Sequence, residues 1–279
     1  MELSIKDFIK FRDLIYKKTG LFFEEKKIYF LKKRLSKRME ELEIKSTVEY
    51  YQLLSFGDKS EDELQRLIDL LTTNETYFFR EFEQLQAFAE YCLPEICEKK
   101  EKNSNYKLKI WSAGCSTGEE PYTLAIILLE MLDNFRLWDK EIVATDIDSV
   151  ALKRAERGVY DDRSVKDVPE EYFAKYFTTQ SDGYRVTIPL RKMVTFYKLN
   201  LFDDREIARH KNFDFIFCRN VLIYFNDLSR RKVVNYFYEA LNPGGYIFLG
   251  HSESMSRISS AFRITRKGDF IVYKKPEGD

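Results

Sequence analysis

Over the first 71 residues the apolar positions recur at helical spacing. Phe8, Phe11 and Ile15 form one stripe, Ile28, Leu31, Leu35, Met39 and Leu42 a second, and Leu64, Leu67, Ile68 and Leu71 a third. Steps of three and four return side chains to one face of a helix. The stretch contains no proline. The pattern predicts four or five short helices packed as a small all-helical unit.

From about residue 107 the period changes. KLKIWSAG reads as a short apolar strand ending in a glycine turn. PYTLAIILLEML reads as a helix with Pro121 near its start, where a missing N–H is tolerated. EIVATD is a second strand, and SVALKRAERG a helix closed by Gly158. FDFIF is a further strand, RRKVVNYFYEAL a helix stopped by Asn242-Pro243-Gly244-Gly245, GYIFLG the next strand and FIVYKK the last. Strands alternating with helices predict a doubly wound, mostly parallel α/β sheet. Residues 176–198 lack a good helix, and YRVTIPL and MVTFYKL read there as two strands around a loop, a small antiparallel β insertion. The expected organisation is a helical unit over residues 1–71 and an α/β unit over 72–279.

Composition narrows the function classes. A length of 279 residues suits one large domain or two unequal ones, and 44% hydrophobic content excludes wholesale disorder. The 46 basic residues balance 46 acidic ones, which argues against a nucleic-acid partner. The cysteines at 92, 97, 115 and 218 form no CxxC pair and no His lies near them, so no metal site is expected. Free thiols suit a reducing compartment. MELSIKDFIKF breaks its apolar residues with charges, unlike a secretory leader. The longest strongly apolar run, Leu124 to Leu129, is far short of the ~20 residues that a membrane span needs. The expectation is a soluble, cytoplasmic protein without membrane insertion.

Four constellations could carry chemistry. The first is Ala113-Gly114-Cys115-Ser116-Thr117-Gly118-Glu119-Glu120-Pro121, a glycine turn from strand to helix, where a backbone can approach a ligand closely. The spacing is GxxxG, not GxGxxG, and two acids stand where a pyrophosphate wants positive potential. A cationic ammonium or sulfonium suits them better; alternatively, both acids only stabilise the helix N-terminus. The second is Asp146, ending a strand, with Asp148 two residues on. An acid there commonly binds ribose hydroxyls. Its other reading is a helix N-cap, but Asp148 is better placed to cap. Together these features point to an adenosyl ligand with a positive, phosphate-free tail, the composition of S-adenosylmethionine. The third is Cys218-Arg219-Asn220-Val221-Leu222-Ile223-Tyr224-Phe225, at a strand end facing the same crevice, whose aromatics read equally as core packing. The fourth, Thr72-Thr73-Asn74-Glu75-Thr76-Tyr77-Phe78-Phe79-Arg80-Glu81, reads most simply as an N-cap opening a helix.

TTNETYFFRE, IWSAGCSTGEEPYTLAI, ATDIDSVAL, FCRNVLIYF and GGYIFLGHSES, in that order along the chain, resemble the CheR-type chemotaxis receptor methyltransferases, which are protein-glutamate O-methyltransferases. The resemblance implies a helical N-terminal domain followed by a Rossmann-like methyltransferase domain, S-adenosylmethionine as methyl donor with S-adenosylhomocysteine as product, and glutamates on cytoplasmic chemoreceptor helices as acceptors. Carried over by position, it implies Asn74, Thr76 and Arg80 at the cofactor from the domain junction, and the Gly114 turn beneath it. It implies Glu120 near the methionine ammonium, Asp146 on the ribose, Asn200 and Leu201 by the adenine, and Arg219 and Asn220 in the same site. Arg80 and Tyr224 fall closest to the transferred methyl. The Thr178–Gly183 loop is short, where relatives that grip a receptor tether peptide carry a longer one, so the enzyme is expected to work without a tether. A non-catalytic cofactor-binding or regulatory scaffold of the same fold is the alternative.

One surface signal stands apart. KKIYFLKKRLSKR, residues 26–38, holds seven basic residues and no acid. On a helical wheel Lys26, Lys33 and Lys37 lie opposite the apolar stripe, flanked by Lys27, Arg34 and Arg38. This reads either as a solvated face or as electrostatic docking to the glutamate-rich receptor helices that the resemblance implies.

Overall fold

The structure, a computed structural model, describes residues 4–56, 59–268 and 270–278. Residues 1–3, Gly57 and Asp58 of the expected helical unit lie outside them.

Four helices, α1 (Ile5–Thr19), α2 (Ile28–Glu41), α3 (Thr47–Phe56) and α4 (Ser60–Leu71), form the helical unit. Ser4 caps α1 by accepting from the Asp7 N–H, and Gly20 closes it at φ +74. A Cβ at Gly20 would stand 2.6 Å from Phe202 and 2.9 Å from Phe225, so this glycine also lets the α1 end lie flat on the α/β unit. The three stripes merge into one core around Phe8, Phe11, Leu31, Leu35, Leu67 and Ile68. Arg38 is drawn into that unit as well. It donates from Nε and Nη2 to Glu63 at 2.9 and 2.6 Å, and Tyr50 donates to the same carboxylate at 2.7 Å.

An extended linker leads through α5 (Phe82–Ala87), one wider π turn and α6 (Leu93–Lys102) to the sheet. The remaining elements are β1 (Lys107–Ala113), α7 (Glu119–Met131), β2 (Asp139–Asp146), α8 (Ser149–Arg157), β3 (Val159–Tyr160), α9 (Asp162–Val165), α10 (Glu170–Tyr176), β4 (Phe177–Gln180), β5 (Gly183–Val186), α11 (Ile188–Met193), β6 (Val194–Lys198), α12 (Asp204–Ile207), β7 (Phe213–Cys218), α13 (Asp227–Ala240), β8 (Leu241–Leu249), β9 (Arg263–Lys267) and β10 (Phe270–Lys274). The main sheet runs β6-β2-β1-β7-β8-β10-β9. Its first five strands are parallel and β10 and β9 antiparallel. Alternate residues feed two cores. Ile110, Phe215, Phe217 and Phe248 face one, and Trp111, Ile216, Cys218 and Ile247 the other. This is the doubly wound, mostly parallel arrangement, with ligands expected at the carboxyl ends of the strands.

The insertion differs from the expected 176–198 pair. The small antiparallel sheet is β3-β5-β4, so it begins near residue 159 and ends at Val186. MVTFYKL belongs instead to the main sheet, as β6 paired parallel with β2 from Ile142–Val194 to Asp146–Lys198. IPLRKM is the helix α11, because Pro189 falls in its first turn, where no N–H is needed. Two further differences are smaller. Asn242-Pro243-Gly244-Gly245 lies within β8, whose pairing with β7 shifts register there, and the RITRK segment adds the edge strand β9.

Candidate active site

A cavity of about 500 Å³ opens at the carboxyl ends of β1, β2 and β7 and is roofed by the helical unit. That volume lies within the ~300–1,000 Å³ usual for small-molecule sites. Gly114, Asp146, Arg219 and Asn220 line it from the strand ends, Glu120 from α7, Asn200 and Leu201 from the segment after β6, and Asn74, Thr76 and Arg80 from the linker. Tyr224 stands at its rim, 36% exposed. The sequence-predicted cofactor and catalytic positions therefore converge on one space.

The β1–α7 turn shows why glycine stands at 114. Its φ is +84, and a Cβ there would meet Val221 Cγ2 at 2.4 Å. The Gly114 and Cys115 N–H groups donate to the Thr145 carbonyl at 2.7 and 2.9 Å, which fixes the turn on β2. The two acids that follow diverge. Glu119 turns into the protein, accepting from Thr117 Oγ1 at 2.6 Å and Ser164 Oγ at 3.1 Å. Glu120 faces the cavity, accepting from Ser112 Oγ at 2.7 Å and Arg219 Nη1 at 3.3 Å. Burial pushes the Glu120 carboxyl above its ordinary range, against the pull of Arg219. Of the two acids only Glu120 lines the cavity.

Asp146 and Asp148 divide their work in the same way. Asp148 caps α8, its Oδ1 accepting from the Val150 and Ala151 N–H groups at 2.8 Å each. Its Oδ2 accepts from Thr72 Oγ1 and Asn74 Nδ2 at 2.6 Å each, which ties the linker to β2. Asp146 accepts from the Ser116 N–H at 2.7 Å and the Asp148 N–H at 2.9 Å. Burial pushes its carboxyl up to about 6, although these N–H groups pull it down. Ser116 Oγ donates to Asn74 Oδ1 at 2.8 Å and closes the ring of contacts.

The linker is not the helix opening that its simplest reading suggests. Phe78 and Phe79 are buried anchors, Phe78 edge-on to Tyr160 and Phe177 with ring centroids 4.9 and 5.0 Å away. Phe79 and Glu81 both have positive φ, 59° and 53°, so Arg80 sits between two residues in a conformation costly for side-chain-bearing residues. The Arg80 guanidinium donates to the Glu75 carbonyl at 2.6 Å and lies 5.9 Å from the Tyr77 ring centroid. Its own carbonyl accepts from Arg219 Nη2.

Arg219 is buried between carboxylates. It reaches Glu120 on one side and Glu81 Oε2 on the other, from Nη2 at 3.2 Å. Asn220 Nδ2 donates to Glu81 Oε1 at 3.2 Å. Burial raises the Glu81 carboxyl, but Arg219 and Asn220 outweigh it and hold the group below the usual carboxylate range. Sequence reasoning missed Glu81; its only signal was an acid directly after Arg80. Asn200 donates from Nδ2 to the Lys18 carbonyl at 2.8 Å and accepts from the Phe202 N–H at 3.0 Å, so its side chain also joins α1 to the α/β unit.

The aromatic part of the roof was also missed. Phe22, Phe23, Glu24, Lys26, Lys27 and Phe30 line the cavity from the segment after α1. It is attached by a Leu21–Phe225 bridge and by the Phe22 N–H donating to the Tyr224 carbonyl at 2.9 Å. A run of aromatics straight after the helix-ending Gly20 was the available clue. Lys26 and Lys27 precede α2 and stand at the mouth, and Lys33 and Lys37 are exposed on its outer face. Arg34 lies over the Phe30 ring at 5.1 Å. Arg38 corrects the docking set: it is only 7% exposed and its guanidinium is committed to Glu63, so it offers nothing to a partner. His210 stacks on Trp111 and His251 is exposed beside Glu81, and neither lines the cavity. Among the described residues no helix is long and apolar enough to cross a membrane.

Comparison with known proteins adds a second line of observation. The family model for the CheR methyltransferase SAM binding domain matches residues 74–270, and that for the CheR methyltransferase all-alpha domain matches residues 6–72. Chemotaxis protein methyltransferase 2 of Vibrio cholerae is 46% identical over 271 residues, 97% of this chain and 93% of that protein. A chemotaxis protein methyltransferase of Borreliella burgdorferi is 39% identical over 246 residues, 87% of this chain and 86% of that protein. Chemotaxis protein methyltransferase 1 of Pseudomonas aeruginosa is 33% identical over 280 residues, 98% of this chain and 99% of that protein.

Proposed function

The chain belongs to the CheR methyltransferase family, and from that premise we infer that it methylates chemoreceptors with S-adenosylmethionine as donor. We propose that the acceptors are glutamate side chains on the receptors' cytoplasmic helices, that the products are methyl esters serving chemotactic adaptation, and that the reaction takes place in the cytoplasm. Residues 1–71 would present the substrate and 72–279 would carry the transfer.

The observation that carries this reading is the charge layout of the cavity. Two part-buried carboxylates, Glu120 and Asp146, and two guanidiniums, Arg80 and Arg219, line one cavity. That set fits a nucleoside joined to an amino acid: a diol, an ammonium and a carboxylate, with no phosphate. Asp146 keeps lone pairs for the ribose hydroxyls beyond its two N–H donors. Glu120 answers the ammonium, Asn200 and Leu201 flank the adenine, and Asn74, Thr76, Gly114 and Asn220 shape the remainder. When bound, S-adenosylmethionine supplies a methyl group on a sulfonium, open to in-line displacement.

A glutamate side chain has an ordinary pKa of ~4.3 and is already ionised at neutral pH, so no residue has to remove a proton. Arg80 orients a carboxylate at the mouth, and Tyr224 contributes a hydroxyl and an aromatic wall. The aromatic roof of Phe22, Phe23 and Phe30 keeps water from the site, which matters because opposite charges are neutralised as the reaction proceeds. Alignment of this kind is worth about 7–11 kcal/mol in favourable cases. Lys26, Lys27, Lys33, Arg34 and Lys37 form the docking face. β4 and β5 are joined by only two residues, Ser181 and Asp182, which supports a tether-independent enzyme.

The test combines calorimetry with transfer. The purified protein should bind S-adenosylmethionine and S-adenosylhomocysteine one to one, and should move labelled methyl onto a receptor fragment as a base-labile ester. Folded protein that gives no heat with either compound would favour the non-catalytic scaffold, and a base-stable label would exclude glutamate esters.

A further inference from the structure

The GHSES segment after β8 has no part in the proposed reaction, yet one of its side chains braces a loop that lines the cavity. Glu253 accepts from the Gly250 N–H at 2.8 Å and the Asn220 N–H at 2.9 Å on Oε2, and from the Ile223 N–H at 3.2 Å on Oε1. Among the described residues no lysine, arginine or histidine pairs with it. It is a half-buried carboxylate whose hydrogen bonds are to backbone, and burial pushes its carboxyl up while those N–H groups pull it down. Two of the three donors lie in the loop that follows β7. That loop opens a short 3-10 turn, Leu222–Tyr224, whose first N–H groups have no partner inside the turn. Asn220 is left-handed at φ 60, and Gly250 lies directly against it; a Cβ on Gly250 would meet the Asn220 nitrogen at 2.8 Å. The Asn220 peptide is thus held between Gly250 and the Glu253 carboxylate.

We propose that Glu253 is a positioning residue for methyl transfer: it fixes the Asn220–Tyr224 loop so that Asn220, Ile223 and Tyr224 face the cavity in the geometry the reaction uses. The inference rests on the methyltransferase reading but concerns a residue that makes no contact with the cavity. The reason is an accounting of donors. With Glu253 removed, the Asn220 and Ile223 N–H groups lose their acceptor, and what is left to hold the loop is Arg230 Nε on the Leu222 carbonyl at 2.8 Å, Phe22 on the Tyr224 carbonyl and Asn220 Nδ2 on Glu81.

Glu253→Gln tests it with little change of volume, because the new NH2 group replaces one acceptor oxygen with a donor. In protein without added ligand, amide exchange over residues 219–225 should rise about tenfold while the rest of the sheet stays protected. The turnover number should fall about tenfold to hundredfold, a larger factor than the rise in the Kd for S-adenosylmethionine that a loosened Asn220 brings. Wild-type exchange together with wild-type turnover overturns the proposal. If Glu253→Gln does not melt cooperatively, Gly250→Ala decides: it displaces Asn220 from the opposite side with the carboxylate intact and should give the same split, and unchanged turnover and exchange there overturn the idea. Exchange also separates the two readings. A wild-type enzyme that transfers no methyl, yet whose Glu253→Gln variant loosens residues 219–225, refutes the reaction and leaves the bracing in place.

Discussion

The floor and the roof of the cavity are held by different means. On the floor nearly every charged group is committed: Glu120 between Ser112 and Arg219, Asp146 between two N–H groups, Glu81 between Arg219 and Asn220. Removing one member leaves a buried partner unsatisfied, which costs far more than the net value of the bond. The roof segment meets the floor through the Phe22–Tyr224 backbone hydrogen bond, the Leu21–Phe225 bridge and aromatic packing, with Asn200 on the Lys18 carbonyl beside them, and its charges are exposed. Exposed pairs such as Lys26–Glu24 contribute little. The floor is therefore rigid, intolerant of change and suited to defining the cofactor. The roof is adaptable and suited to meeting a macromolecule.

Arg80 lies where the two meet, and changing it should have the largest effect. Arg80→Ala is expected to lower turnover about a hundredfold or more, since a group that orients a reacting carboxylate acts through alignment. Its side chain is only part-buried and, among the described residues, hydrogen-bonds to the Glu75 carbonyl alone, so the melting temperature should stay within about 2 °C. Near-normal turnover in a folded variant would remove Arg80 from the mechanism and leave the floor as a binding site without its alignment device.

A change of pH should act on the floor and spare the roof. Asp146, pushed up to about 6, is an ionised acceptor above that pH and gains a proton below it. The Kd for S-adenosylmethionine should therefore weaken as the pH falls through about 6, by at most about tenfold per unit. Stability runs the other way. A folded pKa above the ordinary 3.8 means that the native state holds the proton more tightly, so this group favours folding more as the pH drops from about 6 towards 3.8. Calorimetry between pH 5 and 8 checks the sign. Asp146→Asn should bind more weakly and flatten the profile. A flat wild-type profile would show that Asp146 is not the titrating group.

What was legible in the sequence follows the same division. The helices of the first unit, the parallel strands and the glycine turn at 114 were readable because period and punctuation are local. The Asp148 cap was readable for the same reason, since capping is a matter of one residue's offset from a helix start. What was missed depends on distant pairing. MVTFYKL has a pattern suited to either sheet, and only its pairing with β2 shows which one it joins. Glu81 and Glu253 look like surface acids until Arg219, Asn220 and Ile223 arrive from 30 to 139 positions away. Arg38 sits in a run of basic residues, and nothing in the run says that Glu63 will bury it. The roof required knowing that two units close on each other.

The smallest effect, and the one that tests the roof, concerns salt. Lys27 and Lys33 are exposed and carry no ion pair among the described residues, whereas Lys26 is paired with Glu24 and Lys37 lies 3.9 Å from Glu41. They are the part of the basic face with charge to spare for an acidic receptor helix. Reversing both, Lys27→Glu with Lys33→Glu, should raise the apparent KM for receptor about threefold to tenfold at low ionic strength. The difference should shrink towards unity near 0.5 M salt, where the screening length is only about 4 Å. Over the same range the Kd for S-adenosylmethionine should stay nearly constant, because the floor's charges are enclosed and screened less. If the reversed variant and the wild type respond to salt alike, the basic face is a solvated surface and substrate capture belongs to the rim of Ile223, Tyr224 and the aromatic roof. If cofactor binding shifts together with receptor KM, the roof is no mere docking surface: Lys27 reaches the floor's field, and the separation between the two halves of the cavity fails.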